Sequence, residues 1–152
     1  MTRRWPALVR PRPLAFALAA FLFCLGASGC GKGAVQEPEA KVRLTKVLHL
    51  YQVYAEKNKK GPPDESALRE FGQKLSAKER DEYLIGDDLD GIFTSPRDNQ
   101  KFVIRYHLKP DPGGKTRAVA WEAAGEGGKR FVALTTGYVE EYDDETFQQY
   151  KR

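Results

Sequence analysis

AKVRLTKVLHLYQVYAEKN, residues 40–58, decides how the rest of this chain is read. Leu44, Val47, Leu48, Tyr51, Tyr54 and Ala55 recur at three- and four-residue steps, which places them on one face of a helix. Val42, Leu50 and Val53 widen that stripe and predict a helix covered on more than one side. Lys59, Lys60, Gly61, Pro62 and Pro63 then close it, with cations first, glycine next and proline last. Asp64 is placed to cap a second, shorter helix through about Lys74, with Leu68, Phe71 and Leu75 as its apolar contacts. Ser76 and Glu79 form a capping-box pattern that opens one or two further turns toward Leu84.

Beyond a loop at 86–91 the period changes from helical to two. Phe102, Ile104, Tyr106 and Leu108 alternate with Lys101, Val103, Arg105 and His107, which predicts a half-buried strand over 101–108. A proline- and glycine-rich loop at 109–116 leads to a strand over 117–123. The glycine-rich turn 125–128 leads to another over 129–135, and Thr136-Gly137 to a last strand over 138–142. Asp143 is positioned to cap a final helical turn through Thr146, Phe147 and Tyr150. The expected class is α+β: a long N-terminal helix, one or two short helices, then a three- to four-stranded antiparallel sheet, in a single domain over 41–152.

Upstream of that domain the composition is of another kind. Arg3, Arg4, Arg10 and Arg12 make a cationic start without an acid, and residues 14–25 are twelve apolar residues in a row. Such a run is a signal-peptide h-region, shorter than the roughly 20 residues that span a bilayer. Gly26, Ala27, Ser28 and Gly29 are small, and Cys30 follows. This end resembles the bacterial lipobox, with Ala27 where that motif prefers leucine. The resemblance implies a lipoprotein signal peptide at 1–29, cleavage before Cys30, lipidation of its thiol, and a lipid-anchored tether over 30–40. Ordinary cleavage nearby and an uncleaved anchor are the alternatives. The expected location is the cell envelope, periplasm-facing or surface-exposed, and Gly31 behind the cysteine favours the outer membrane.

Charge follows the same division. The whole chain carries 25 Lys+Arg against 21 Asp+Glu, and four of the arginines precede Cys30, so 25 − 4 = 21 basic residues balance 21 acids in the remainder. The basic character belongs to the signal, and a nucleic-acid footprint is not expected. Cys24 leaves with the signal and Cys30 is the lipid site, so the domain has no thiol for a disulfide and depends on its core.

The order of elements resembles pilin-like proteins: type II secretion pseudopilins and the large bacterial group with a C-terminal H-x9-DG motif. Residues 54–63 stand where those proteins carry a tyrosine-proline segment after the helix. Residues 95–104 (SPRDNQKFVI) are similar to the pseudopilin segment that leads into an aromatic strand, and residues 127–140 (GGKRFVALTTGYVE) to the hairpin bearing H-x9-DG. Counting back from Gly137, however, the histidine position holds Glu126 and the aspartate position Thr136. A lipobox and polar tether also replace the long apolar helix by which pilins polymerise.

Few residues invite chemistry. His49 and His107 are the only histidines, and without cysteine a metal would have to recruit distant carboxylates. Asp87, Asp88 and Asp90 suggest a cation loop, but Gly86 and Arg97 stand at positions where an EF-hand requires acids. They are read as a solvated turn, with no metal and no cofactor expected. Glu122 beside Trp121 is a candidate acid of raised pKa, though surface exposure is the preferred reading. Ser66, Ser76 and Ser95 occupy capping or turn contexts. Trp121, Phe131 and Tyr138 are read as core between sheet and helix, with an aromatic binding surface as the alternative. The expectation is a non-catalytic, lipid-anchored envelope protein. It would be held to the membrane through the lipid on Cys30 and bind a protein or cell-wall partner at residues the pattern does not identify. The alternative is an envelope-anchored hydrolase or enzyme accessory using Glu122 or the loop of Asp87, Asp88 and Asp90.

Overall fold

Pro38 opens the first helix. Its φ of −54° is near helical already and its carbonyl accepts from the Val42 amide. The computed structural model describes residues 37–108 and 114–151. The expected signal, Cys30, most of the tether and most of the loop at 109–116 lie outside the described residues. Helix α1 runs Glu39–Asn58 and therefore takes in Glu39 and Ala40, which the pattern assigned to the tether. It ends where Lys59 turns left-handed. Helix α2, Glu65–Lys74, starts on the Asp64 carboxylate, which accepts from the Ala67 amide at 2.7 Å. Helix α3, Ala77–Glu82, starts on a complete capping box between Ser76 and Glu79. A 3₁₀ turn at Gly91–Phe93, not anticipated from the pattern, drives Ile92 and Phe93 into the core.

Four antiparallel strands follow in sequential order: β1 Val103–Ile104, β2 Ala118–Trp121, β3 Lys129–Leu134 and β4 Val139–Asp143. Helix α4, Asp144–Tyr150, closes the chain on the Asp143 cap. Among the described residues the class is α+β, with four helices and a four-stranded antiparallel sheet.

β1 is much shorter than the strand expected over 101–108. The side chains do alternate, with Phe102 and Ile104 buried and Lys101 and Val103 exposed, but the backbone finds other partners. The Tyr51 hydroxyl lies 3.0 Å from the Arg105 carbonyl and 2.5 Å from the Leu108 carbonyl and shares its proton between them. The His107 amide donates to Pro62, with His107 at a φ of +61°. Burial pushes the Tyr51 phenol up to about 12. Gly61 makes this docking possible, because a Cβ there would stand 2.5 Å from the Leu108 carbonyl oxygen and 2.7 Å from the Tyr51 hydroxyl.

The sheet is covered on both faces. On one, Leu44, Val47, Leu48 and Tyr51 of α1 pack against Val119, Ala120, Phe131, Ala133 and Val139. On the other, Ala118, Trp121, Val132 and Leu134 pack against Phe147 of α4. The core expected between helix and sheet is thus divided: Phe131 faces α1, and Trp121 faces α4 with its ring 5.4 Å from that of Phe147. Tyr138 belongs to neither core and is 66% exposed, since it sits in the turn before β4. Within β2, Ala118 pairs with Leu134 and Ala120 with Ala133, so Val119 is one residue extra, a β-bulge.

Candidate functional site

That bulge decides where Glu122 goes. Strict alternation from Val119 would point Trp121 toward α1 and Glu122 away from it. The extra residue reverses the phase, so that Trp121 faces α4 and Glu122 turns to the side of Phe131 and the segment after the 3₁₀ turn. The expected exposure of Glu122 is therefore corrected: the residue is 0% exposed, the only fully buried acid among the described residues.

Residues 94–101 bring its partners. This loop is closed by a bridge between Thr94 and Lys101 and by the Ser95 amide donating to Gln100. The Ser95 hydroxyl, also wholly buried, donates to Glu122 Oε1 at 2.6 Å, while the Phe131 amide donates to Oε2 at 2.8 Å. The Arg97 amide donates to the Ser95 hydroxyl oxygen, an ST-turn. The guanidinium of Arg97 lies over the Phe131 ring at 4.6 Å and reaches three carboxylates: Glu141 at 2.8 Å, Glu126 at 3.3 Å and Glu122 at 3.5 Å. Its Nε is buried without an aligned acceptor, so the approach of Glu126 is electrostatic and not a formed hydrogen bond. Asp98 fastens the far side of the loop, accepting from the amides of Gln100, Ala124 and Gly125 at 3.0 Å each. Burial alone would raise its pKa, but these amides outweigh that and hold it below the usual carboxylate range.

Chemically this cluster is a clamp. Each oxygen of this carboxylate holds a buried donor of the same chain, and neither Glu122 nor Ser95 is open to solvent while the loop is in place. What it does accomplish is to satisfy the Phe131 amide and fix the loop 94–101 onto β2 and β3.

The other candidate residues are dispersed. Asp87 pairs with Arg80 at 3.0 Å, Asp90 with Arg69 at 2.7 Å, and Asp88 caps the Gly91 amide at 2.8 Å. The three carboxylates thus hold separate partners, and no group of three or more metal-binding side chains occurs among the described residues. His49 lies on α1, its Nδ1 donating to the Tyr83 carbonyl at 3.0 Å, while His107 is exposed in its turn. Ser76 is an N-cap as expected, and Ser66 lies inside α2. No described helix is long and apolar enough to cross a membrane. Ser95 and Arg97 were missed as partners of Glu122. The available signal was an acid placed directly after the apolar run 118–121.

No family model, curated protein or solved structure matches this chain.

Proposed function

We propose that this protein is an exported, lipid-anchored envelope protein, attached through Cys30 and non-catalytic, whose folded part binds a protein or cell-wall partner. The anchor rests on the cationic start, the short apolar run and the small residues before Cys30. Gly31 favours the outer membrane. The observation that carries the non-catalytic reading is the enclosure of Glu122, whose oxygens are taken by Ser95 and Phe131 of the same chain. A hydrolase using Glu122 would first have to detach the loop 94–101, and one using Asp87, Asp88 and Asp90 would have to break two arginine pairs. Kinship with pilin-like proteins is part of the proposal, supported by a helix packed on an antiparallel meander. A pilus-forming role is not, because a polar tether stands where an assembling pilin has an apolar helix.

Metabolic labelling with palmitate tests the anchor. The wild type should incorporate label and Cys30→Ser should not. Equal incorporation by both would overturn it.

A further inference from the structure

We propose that the cleft between α1 and the end of α3 is a docking groove for a partner protein's peptide segment in which a Lys or Arg is flanked by apolar side chains. The proposal rests on the partner-binding reading above and names the surface and the chemistry. His49, Val53 and Glu56 come from one stripe of α1, at i, i+4 and i+7, and Glu82, Tyr83 and Leu84 face them across an open cavity of about 280 Å³.

Leu84 is the first argument. Helix α3 ends in a Schellman motif, with the Ile85 amide donating to Arg80 and the Leu84 amide to Asp81. Leu84 occupies the left-handed position of that motif, at a φ of +56°, where glycine is the usual residue. It is also 67% exposed. The left-handed backbone disfavours a leucine there as far as the chain's own folding is concerned, and its exposed side chain is open to apolar contact with another molecule.

Charge is the second argument. Most acids among the described residues hold a cation or cap an amide; Glu56 and Glu82, like Asp81 and Glu145, are exposed and do neither. Neither Lys nor Arg lines the cleft. The neighbouring Lys57 lies 5.9 Å from the Tyr83 ring at the edge of the cleft, where its charge is engaged with Glu79 at 2.8 Å. His49 gives its Nδ1 proton to Tyr83, so in the neutral ring Nε2 is an acceptor as well. A cleft with acceptors, two carboxylates that hold no cation at hydrogen-bond distance, and no Lys or Arg in its lining complements a cationic donor. An open groove along about two turns of helix, with Val53 and Leu84 as its apolar part, suits an extended segment better than a small enclosed ligand.

The probe is a dye-labelled, end-blocked Leu-Arg-Leu-Lys-Leu peptide. It is titrated with the full-length protein in non-ionic detergent at low ionic strength and read by fluorescence anisotropy. Binding should saturate, and the same peptide with glutamate in place of both cations should bind about tenfold more weakly or not at all. Glu56→Lys combined with Glu82→Lys should reverse that preference, whereas Glu145→Lys, which changes an acid outside the cleft, should leave it unchanged. Leu84→Gly should weaken binding about tenfold while raising the denaturation midpoint, an opposition of signs that a merely structural role would not give. No saturable binding, equal binding of both peptides, or indifference to the double charge reversal would overturn the groove. With palmitate labelling of Cys30 intact, those results sink the groove alone. Groove binding without labelling sinks the anchor alone.

Discussion

Truncating Glu122 to alanine should be among the most damaging single changes this domain can suffer. The carboxylate is wholly buried and serves two donors that are themselves buried, the Ser95 hydroxyl at 2.6 Å and the Phe131 amide at 2.8 Å. Each orphaned donor costs about 1–3 kcal/mol, since water cannot replace the lost acceptor. Arg97 keeps Glu126 and Glu141, so its charge is not stranded and adds little. Together the two donors cost about 2–6 kcal/mol, and the middle of that span, about 3–5 kcal/mol, is the range found when one partner of a buried pair is removed. For a domain of this size that is a large part of the total stability and a fall in melting temperature of roughly 15 °C or more. Glu122→Gln preserves the shape and the acceptor for Phe131, and Ser95 can turn its hydroxyl to accept from the new amide, so its cost should be about 1–2 kcal/mol. Ser95→Ala should cost a similar amount, and the two changes together should fall short of additivity because they share one hydrogen bond. Urea unfolding followed by tryptophan fluorescence reads all of these, since Trp121 is buried directly beside the site. A Glu122→Ala midpoint equivalent to less than about 1 kcal/mol below wild type would refute the clamp.

Leu48 is fully buried mid-face on α1, so Leu48→Ala should cost about 2–5 kcal/mol in the same assay, and a negligible effect would mean that α1 is not docked on the sheet. Acid should destabilise the fold. Asp98, Asp143, Glu65 and Glu79 are all held below the ordinary carboxylate range, Glu79 at about 2 through its bonds with Lys57 and Ser76. The folded chain therefore binds these protons more weakly than the unfolded chain. Their contribution is whole above the unfolded values near 4 and is lost as pH falls through the folded ones. A urea midpoint that holds or rises from pH 4.5 toward 2 would contradict those shifts. Calcium should raise the melting temperature no more than magnesium does, because Asp87, Asp88 and Asp90 already hold Arg80, the Gly91 amide and Arg69. A calcium-specific rise that Asp88→Asn with Asp90→Asn abolishes would show that the loop is a site after all.

What could be read from the residues alone was what depends on near neighbours. Asp64, Ser76 and Asp143 cap helices because a cap needs only an oxygen three residues ahead of an amide, and that spacing is visible in the chain. The meander was legible because glycine turns separate runs of period two. The failures came from distant partners. Tyr51, more than fifty positions upstream, takes the Arg105 and Leu108 carbonyls and ends β1 early. The bulge at Val119 exists only against the register of β3, and without it Glu122 points outward and Trp121 joins the wrong layer. The second core was not legible either: Phe147 lies in the closing helix as its pattern predicts, but it packs on β2 because that strand is buried on both sides. The cluster at Glu122 inherits all of this: its acid was noticed, while its serine and arginine lie across a loop whose closure no local pattern announces.

The last strand bears on how copies of the molecule behave when packed closely. β4 is one border of the sheet, and a border strand offers amides and carbonyls to any other strand that comes alongside. Glu140, Glu141 and Asp143 are all exposed on it, and the opposite border, β1, is only two residues long. Two molecules meeting β4 to β4 would set like charges side by side with no lysine between them, and two meeting at β1 would gain too few bonds to stay together. The fold can therefore be crowded on a surface without its sheets growing into one another.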